Sequence, residues 1–161
     1  MDKLKSYNIK EVGEKTNWLL SQKSEVIVAD TDDALTLTND DSGKTIVLAK
    51  ADGVAVALPV AEVGVKFKFV VTVTVTSVGY ILTAGKTTDL FIGAVTMVDT
   101  DTSDTHTDQV PDVTNDDVMT LNGVTTGGLI GSYFELECIA ANRWWVNGVL
   151  RHTSNVATPF A

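Results

Sequence analysis

Lys66-Phe67-Lys68-Phe69-Val70-Val71-Thr72-Val73-Thr74-Val75-Thr76 is the stretch that decides the fold class. Read in steps of two, Phe67, Phe69, Val71, Val73 and Val75 fall on one side. Lys66, Lys68, Thr72, Thr74 and Thr76 fall on the other, with Val70 the one exception. That is the two-residue period of a strand with one dry face and one wet face. A helix would spread the valines round its circumference, and β-branched side chains lose rotamer freedom there. As one strand the stretch would span about 36 Å, long for a β-strand.

Outward from it, short apolar runs alternate with turn signals. Val26-Ile27-Val28 precedes the acidic turn Asp30-Thr31-Asp32-Asp33, and Leu35-Thr36-Leu37-Thr38 precedes Asn39-Asp40-Asp41-Ser42-Gly43. Ile46 and Leu48 share a face, Ala51-Asp52-Gly53 turns, and Val54 to Leu58 stops at Pro59, which has no N–H for a ladder. Further on, Tyr80 to Ala84, Asp89 to Ile92, Ala94 to Val98 and Val118 to Leu121 read as strands, with breaks at Gly85-Lys86 and Gly93. Tyr133 to Ile139 and Arg143 to Asn147 read as a hairpin, in which Trp144 and Trp145 point to opposite faces. Runs of this spacing without helical interludes predict an all-β, antiparallel β-sandwich or barrel, jelly-roll-like, and argue against βαβ units.

The organisation expected is an N-terminal arm over 1–25, a β-domain over 26–150 and a C-terminal tail over 151–161, with no repeat of fixed period. The arm has five lysines, four acids and scattered Leu4, Tyr7, Ile9, Val12, Trp18 and Leu19. Its apolar period is weak and Gly13 and Asn17 interrupt it, so it holds little or short helix. Those six residues are the candidate contact residues of the arm, which either packs on its own domain or reaches a neighbouring subunit or host surface.

At 161 residues a single core is within reach. The net charge is −9, from 12 basic and 21 acidic side chains, which repels the phosphate backbone that dominates nucleic-acid affinity. No run approaches the roughly 18 apolar residues of a membrane span, and Met1-Asp2-Lys3-Leu4-Lys5-Ser6 leads into no apolar leader. The expectation is a protein with neither nucleic-acid nor membrane partners, made and kept in a cytoplasm. Cys138, the single cysteine, alternates with Phe134 and Leu136 and reads as a small core residue.

Chemical motifs fail on inspection. Gly43-Lys44-Thr45 mimics the end of a phosphate loop, but Thr38 stands where the leading glycine belongs and a strand follows in place of a helix. Between Asp99 and Asp117 lie seven aspartates and no lysine or arginine, which reads as a solvated surface loop. Asp99, Asp101 and Asp104 invite calcium, yet Asp104 occupies the glycine position of an EF-hand and Val110 the position of its closing glutamate. His106 and His152 read as separate surface residues, and no nucleophile elbow or cysteine pair is present. The reading is a protein that is not an enzyme, with no catalytic residues, no metal and no cofactor.

Asp41-Ser42-Gly43-Lys44-Thr45, Gly53-Val54-Ala55-Val56-Ala57-Leu58-Pro59, Gly64 with Phe67 and Phe69, and Trp144-Trp145-Val146-Asn147-Gly148 together resemble small virion proteins of tailed bacteriophages. The resemblance covers roughly residues 39 to 148. In size and in lacking a catalytic motif the chain is most similar to the capsid decoration, or cement, proteins. That family implies homotrimers on the exterior of the expanded head, bridging neighbouring major capsid protein subunits, assembled in the host cytoplasm. The alternative is a tail or fibre module in which Trp145 or Trp144 stacks on host surface carbohydrate.

Overall fold

The computed structural model describes residues 25–101 and 106–161. Among them are eleven strands: β1 (Val26–Ala29), β2 (Ala34–Thr36), β3 (Thr45–Leu48), β4 (Val54–Ala57), β5 (Lys66–Val71), β6 (Tyr80–Thr83), β7 (Leu90–Asp99), β8 (His106–Gln109), β9 (Val118–Leu121), β10 (Tyr133–Ala140) and β11 (Arg143–His152). They form a seven-stranded sheet, β1-β3-β5-β10-β11-β7-β8, and a four-stranded sheet, β2-β4-β6-β9. The inward faces of the two sheets meet in one apolar core. The all-β sandwich expected from the sequence is the observed architecture, and among the described residues no helix is long and apolar enough to cross a membrane.

Strand direction differs from the antiparallel pairing that the sequence suggested, because both sheets are mixed. The first six strands alternate between the sheets, so that β1, β3 and β5 lie parallel in one while β2, β4 and β6 lie parallel in the other. The chain therefore coils, and each passage through the opposite sheet serves as the crossover that a parallel pair requires. Helical interludes are not needed for that, which is why their absence was a poor guide to direction. The coil steps unequally, from Val26 to Thr45 to Lys68 in one sheet and from Ala34 to Ala55 to Ile81 in the other. No fixed period was there to be read.

The alternating ribbon is also shorter than its sequence implies. β5 ends at Val71, where the N–H groups of Thr72 and Val73 both donate to the Leu48 carbonyl, at 3.0 and 3.4 Å. Doubling two donors on one acceptor ends the regular ladder, and the chain crosses to the second sheet. The Tyr80 hydroxyl donates to the Val73 carbonyl at 2.7 Å and holds that crossing. β7, by contrast, runs unbroken through Gly93, where the sequence suggested a break.

From β7 onward the pairing is mixed. β8 returns antiparallel to β7 and carries His106 to Gln109 out of the acidic segment expected to be a loop throughout. The β10–β11 hairpin then inserts between β5 and β7, antiparallel to the first and parallel to the second. Its inward residues complete the core: the Phe134 ring stacks on Phe69 with centroids 4.8 Å apart, and Trp144 lies 6.0 Å from Phe67. β11 continues through Arg151 to His152, and Phe160 is buried and bridges to Met119. His152 is 3% exposed with Nδ1 2.7 Å from the Ser154 carbonyl, which corrects its reading as a surface residue. Cys138 is buried, as its alternation with Phe134 and Leu136 implied, and burial pushes its thiol pKa up, away from the reactive thiolate.

Candidate functional surface

The inward positions of β3, β5 and β10 all serve the core, so function is sought on the outward face of the seven-stranded sheet. Strand register lines that face up in rows. Lys68 stands opposite Glu135 and Lys66 opposite Glu137, with Trp145 next to Glu137 on β11. These residues, with Gly43 and Thr45 at the near end, line a groove of about 220 Å³. The lysine of one pair reaches its glutamate loosely, with Lys68 Nζ 4.0 Å from Glu135 Oε1. Trp145 is half-buried because it lies down on β7: a Cβ at Gly93 would come within 3.0 Å of its ring. Trp144, its neighbour, is fully buried, so the tryptophan pair splits between core and surface.

The next row along the same face is apolar. Val28 pairs with Val47, Val47 with Val70, Val70 with Tyr133, and Tyr133 with Val149. Five strands thus present a continuous apolar band to the outside, with Val28 51% and Tyr133 46% exposed and the three others half-buried. A solvated antiparallel face alternates apolar-in with polar-out, so a continuous outward band of this length is the feature needing explanation. It ends where Thr96 follows Val149 and donates to Asp108 Oδ1 at 2.8 Å.

Sequence reasoning missed this row although one signal was in view. Val70 is the residue that broke the alternation of the central ribbon; Val28 and Val47 follow an apolar neighbour in the same way, and Val149 precedes one, Leu150. Only the register shows that these off-beat residues are adjacent. Leu4, Tyr7, Ile9, Val12, Trp18 and Leu19, the contact residues expected in the arm, lie outside the described residues.

Asp112 accepts from the Thr114 N–H and hydroxyl at 2.9 and 2.6 Å and from Asn115 Nδ2 at 2.9 Å, while Asp116 accepts from the Asp112 N–H at 2.7 Å. Those bonds from Thr114 and Asn115 hold the Asp112 carboxyl below its usual range, so the acids here build a turn. Among the described residues no three His, Cys, Asp or Glu side chains converge as a metal site. The groove lining holds no imidazole or thiol. It suits a ligand with one flat apolar side and polar edges, and the apolar row suits a protein surface. Comparisons with protein-family models, curated proteins and solved structures find no match to this chain.

Proposed function

We propose that this is a non-enzymatic virion structural protein that binds the outer surface of an expanded bacteriophage capsid and stabilises contacts between major capsid protein subunits. The observation carrying the reading is the outward row Val28–Val47–Val70–Tyr133–Val149, a protein-sized apolar band on a sheet already supplied with a core. The sequence resemblance supplies the class of partner. A protein that binds only the expanded lattice stabilises that lattice by mass action. As a homotrimer it would gain avidity from several contacts on one particle. The net charge of −9 would help keep coated particles apart.

Titrating purified protein onto decoration-free expanded heads tests this. Saturable binding is expected, weakened about tenfold or more by Tyr133→Asp, since a buried aromatic anchor is worth at least 1–2 kcal/mol. Failure of the unaltered protein to bind any head form would sink the reading.

A second reading has its own observation in the Trp145 groove, whose indole and two lysine–glutamate pairs could take a host surface carbohydrate. Glycan-array binding abolished by Trp145→Ala would favour it. Silence across surface glycans would remove its support.

A further inference from the structure

We infer that the outward face of the seven-stranded sheet docks on the same face of a second copy of this chain, about a two-fold axis running along the strands between β5 and β10. The first argument is the order of charge. Lys66 and Lys68 form a basic stripe on β5, and Glu135 and Glu137 form an acidic stripe on the neighbouring β10. Turning a second copy about that axis lays its β10 over β5 and its β5 over β10, while every residue keeps its level along the strands. Both lysines of each copy then meet the glutamates of the other, the self-complementarity that a two-fold interface requires. Lys68 Nζ lies 4.0 Å from Glu135 Oε1 of its own chain, a loose pair whose ends can reach across. A two-fold axis laid across the strands, along the apolar row, would set β5 on β5 and take the lysines away from the glutamates.

Shape is the second argument, because the same rotation matches the other rows. Val70 falls on Tyr133 of the second copy and Val47 on its Val149, so the apolar band covers itself. Gly43 falls on Trp145 of the second copy. Its chain neighbours aside, nothing lies within 4 Å of a Cβ built at Gly43, so there is room above it for an indole. Area is the third. The six strands from β1 to β7, about 4.8 Å apart, and three rows about 6.6 Å apart cover about 29 by 20 Å, roughly 600 Å² on each copy. A total of about 1,200 Å² is the lower end of what a specific dimer buries and fits a dissociation constant in the micromolar range. The net charge of −9 opposes pairing at a distance. Physiological salt screens exposed charges beyond about 8 Å, so the facing stripes decide.

This pairing does not rest on the capsid reading and is tested without heads; if both hold, a copy must leave its twin before its row can meet the capsid. The test is sedimentation velocity of the full chain over a wide concentration series, with two charge-reversed proteins, Lys66→Glu/Lys68→Glu and Glu135→Lys/Glu137→Lys. The unaltered chain is expected to double its mass in the micromolar range. Each altered protein alone sets like charges face to face and is expected to self-associate about tenfold more weakly or worse. An equimolar mixture of the two restores opposite charges at every contact and is expected to dimerise again, a recovery that damage to the fold cannot produce. An unaltered chain that stays monomeric or forms a trimer overturns the inference. So does an altered protein that dimerises as before, or a mixture of the two folded proteins that fails to pair. Should either altered protein lose cooperative unfolding, hydroxyl-radical footprinting of the unaltered chain decides. Tyr133 and Trp145 protected where the mass doubles, and labelled several-fold faster on dilution, uphold the pairing; labelling indifferent to dilution ends it.

Discussion

At Gly93 the backbone of β7 takes φ +104°, and a Cβ built there would lie 2.3 Å from the Val146 carbonyl oxygen. Both the conformation and the space exclude a side chain, and the same vacancy lets Trp145 lie across the strand. Gly93→Ala is expected to destabilise the fold by on the order of 2–3 kcal/mol and to alter Trp145 emission. Urea denaturation followed by fluorescence checks this, and an unchanged midpoint would contradict it. Asp41 offers a pH test. Lys44 Nζ lies 2.9 Å from Oδ1, and the Thr38 N–H and hydroxyl donate to Oδ2 at 2.9 and 2.8 Å. Lys44 first, then Thr38, hold the carboxyl below its ordinary value of 3.8. A folded value below the unfolded one means that the contribution is fully present above the unfolded value and is lost as pH falls through the folded one. The stability gap between the native protein and Asp41→Asn should therefore shrink on acidification. Denaturation midpoints at neutral and acid pH measure it, and a constant gap would refute the assignment.

Among the elements, the crossing from β5 to β6 is the joint on which the coil depends. Tyr80 is buried, which raises its phenol pKa, and its hydroxyl reaches the Val73 carbonyl just after the regular ladder stops. Tyr80→Phe keeps the ring and removes that bond, so a cost of about 1–2 kcal/mol is expected in urea or thermal unfolding. A loss indistinguishable from zero would mean that the crossing is held by its backbone bonds alone. The same joint marks how far the sequence could be read. Phe67, Phe69 and Val71 announce a strand because inward and outward positions differ chemically. Nothing in Val73 or Val75 announces that the chain has left the sheet, since Val75 is buried there too. Direction was equally hidden: a coil and a meander need the same alternating runs and the same turns. Trp144 and Trp145 could be split between core and surface from adjacency alone, whereas the apolar row exists only once five strands have been placed side by side.

At the scale of the whole molecule, two surfaces of different chemistry share one sheet face, the groove beside Trp145 and the band through Tyr133. The two proposed readings, docking through the band and carbohydrate binding in the groove, would therefore be told apart by single substitutions on that face. The order of the seven-stranded sheet has a consequence of another kind. Because the β10–β11 hairpin sits between β5 and β7, a chain emerging from the ribosome carries both of those strands with bare flanks until residues 133–152 have followed. Translation stalled short of Tyr133 would leave a sticky, gapped intermediate, and the supply of chaperones, more than any property of the finished fold, would govern the yield.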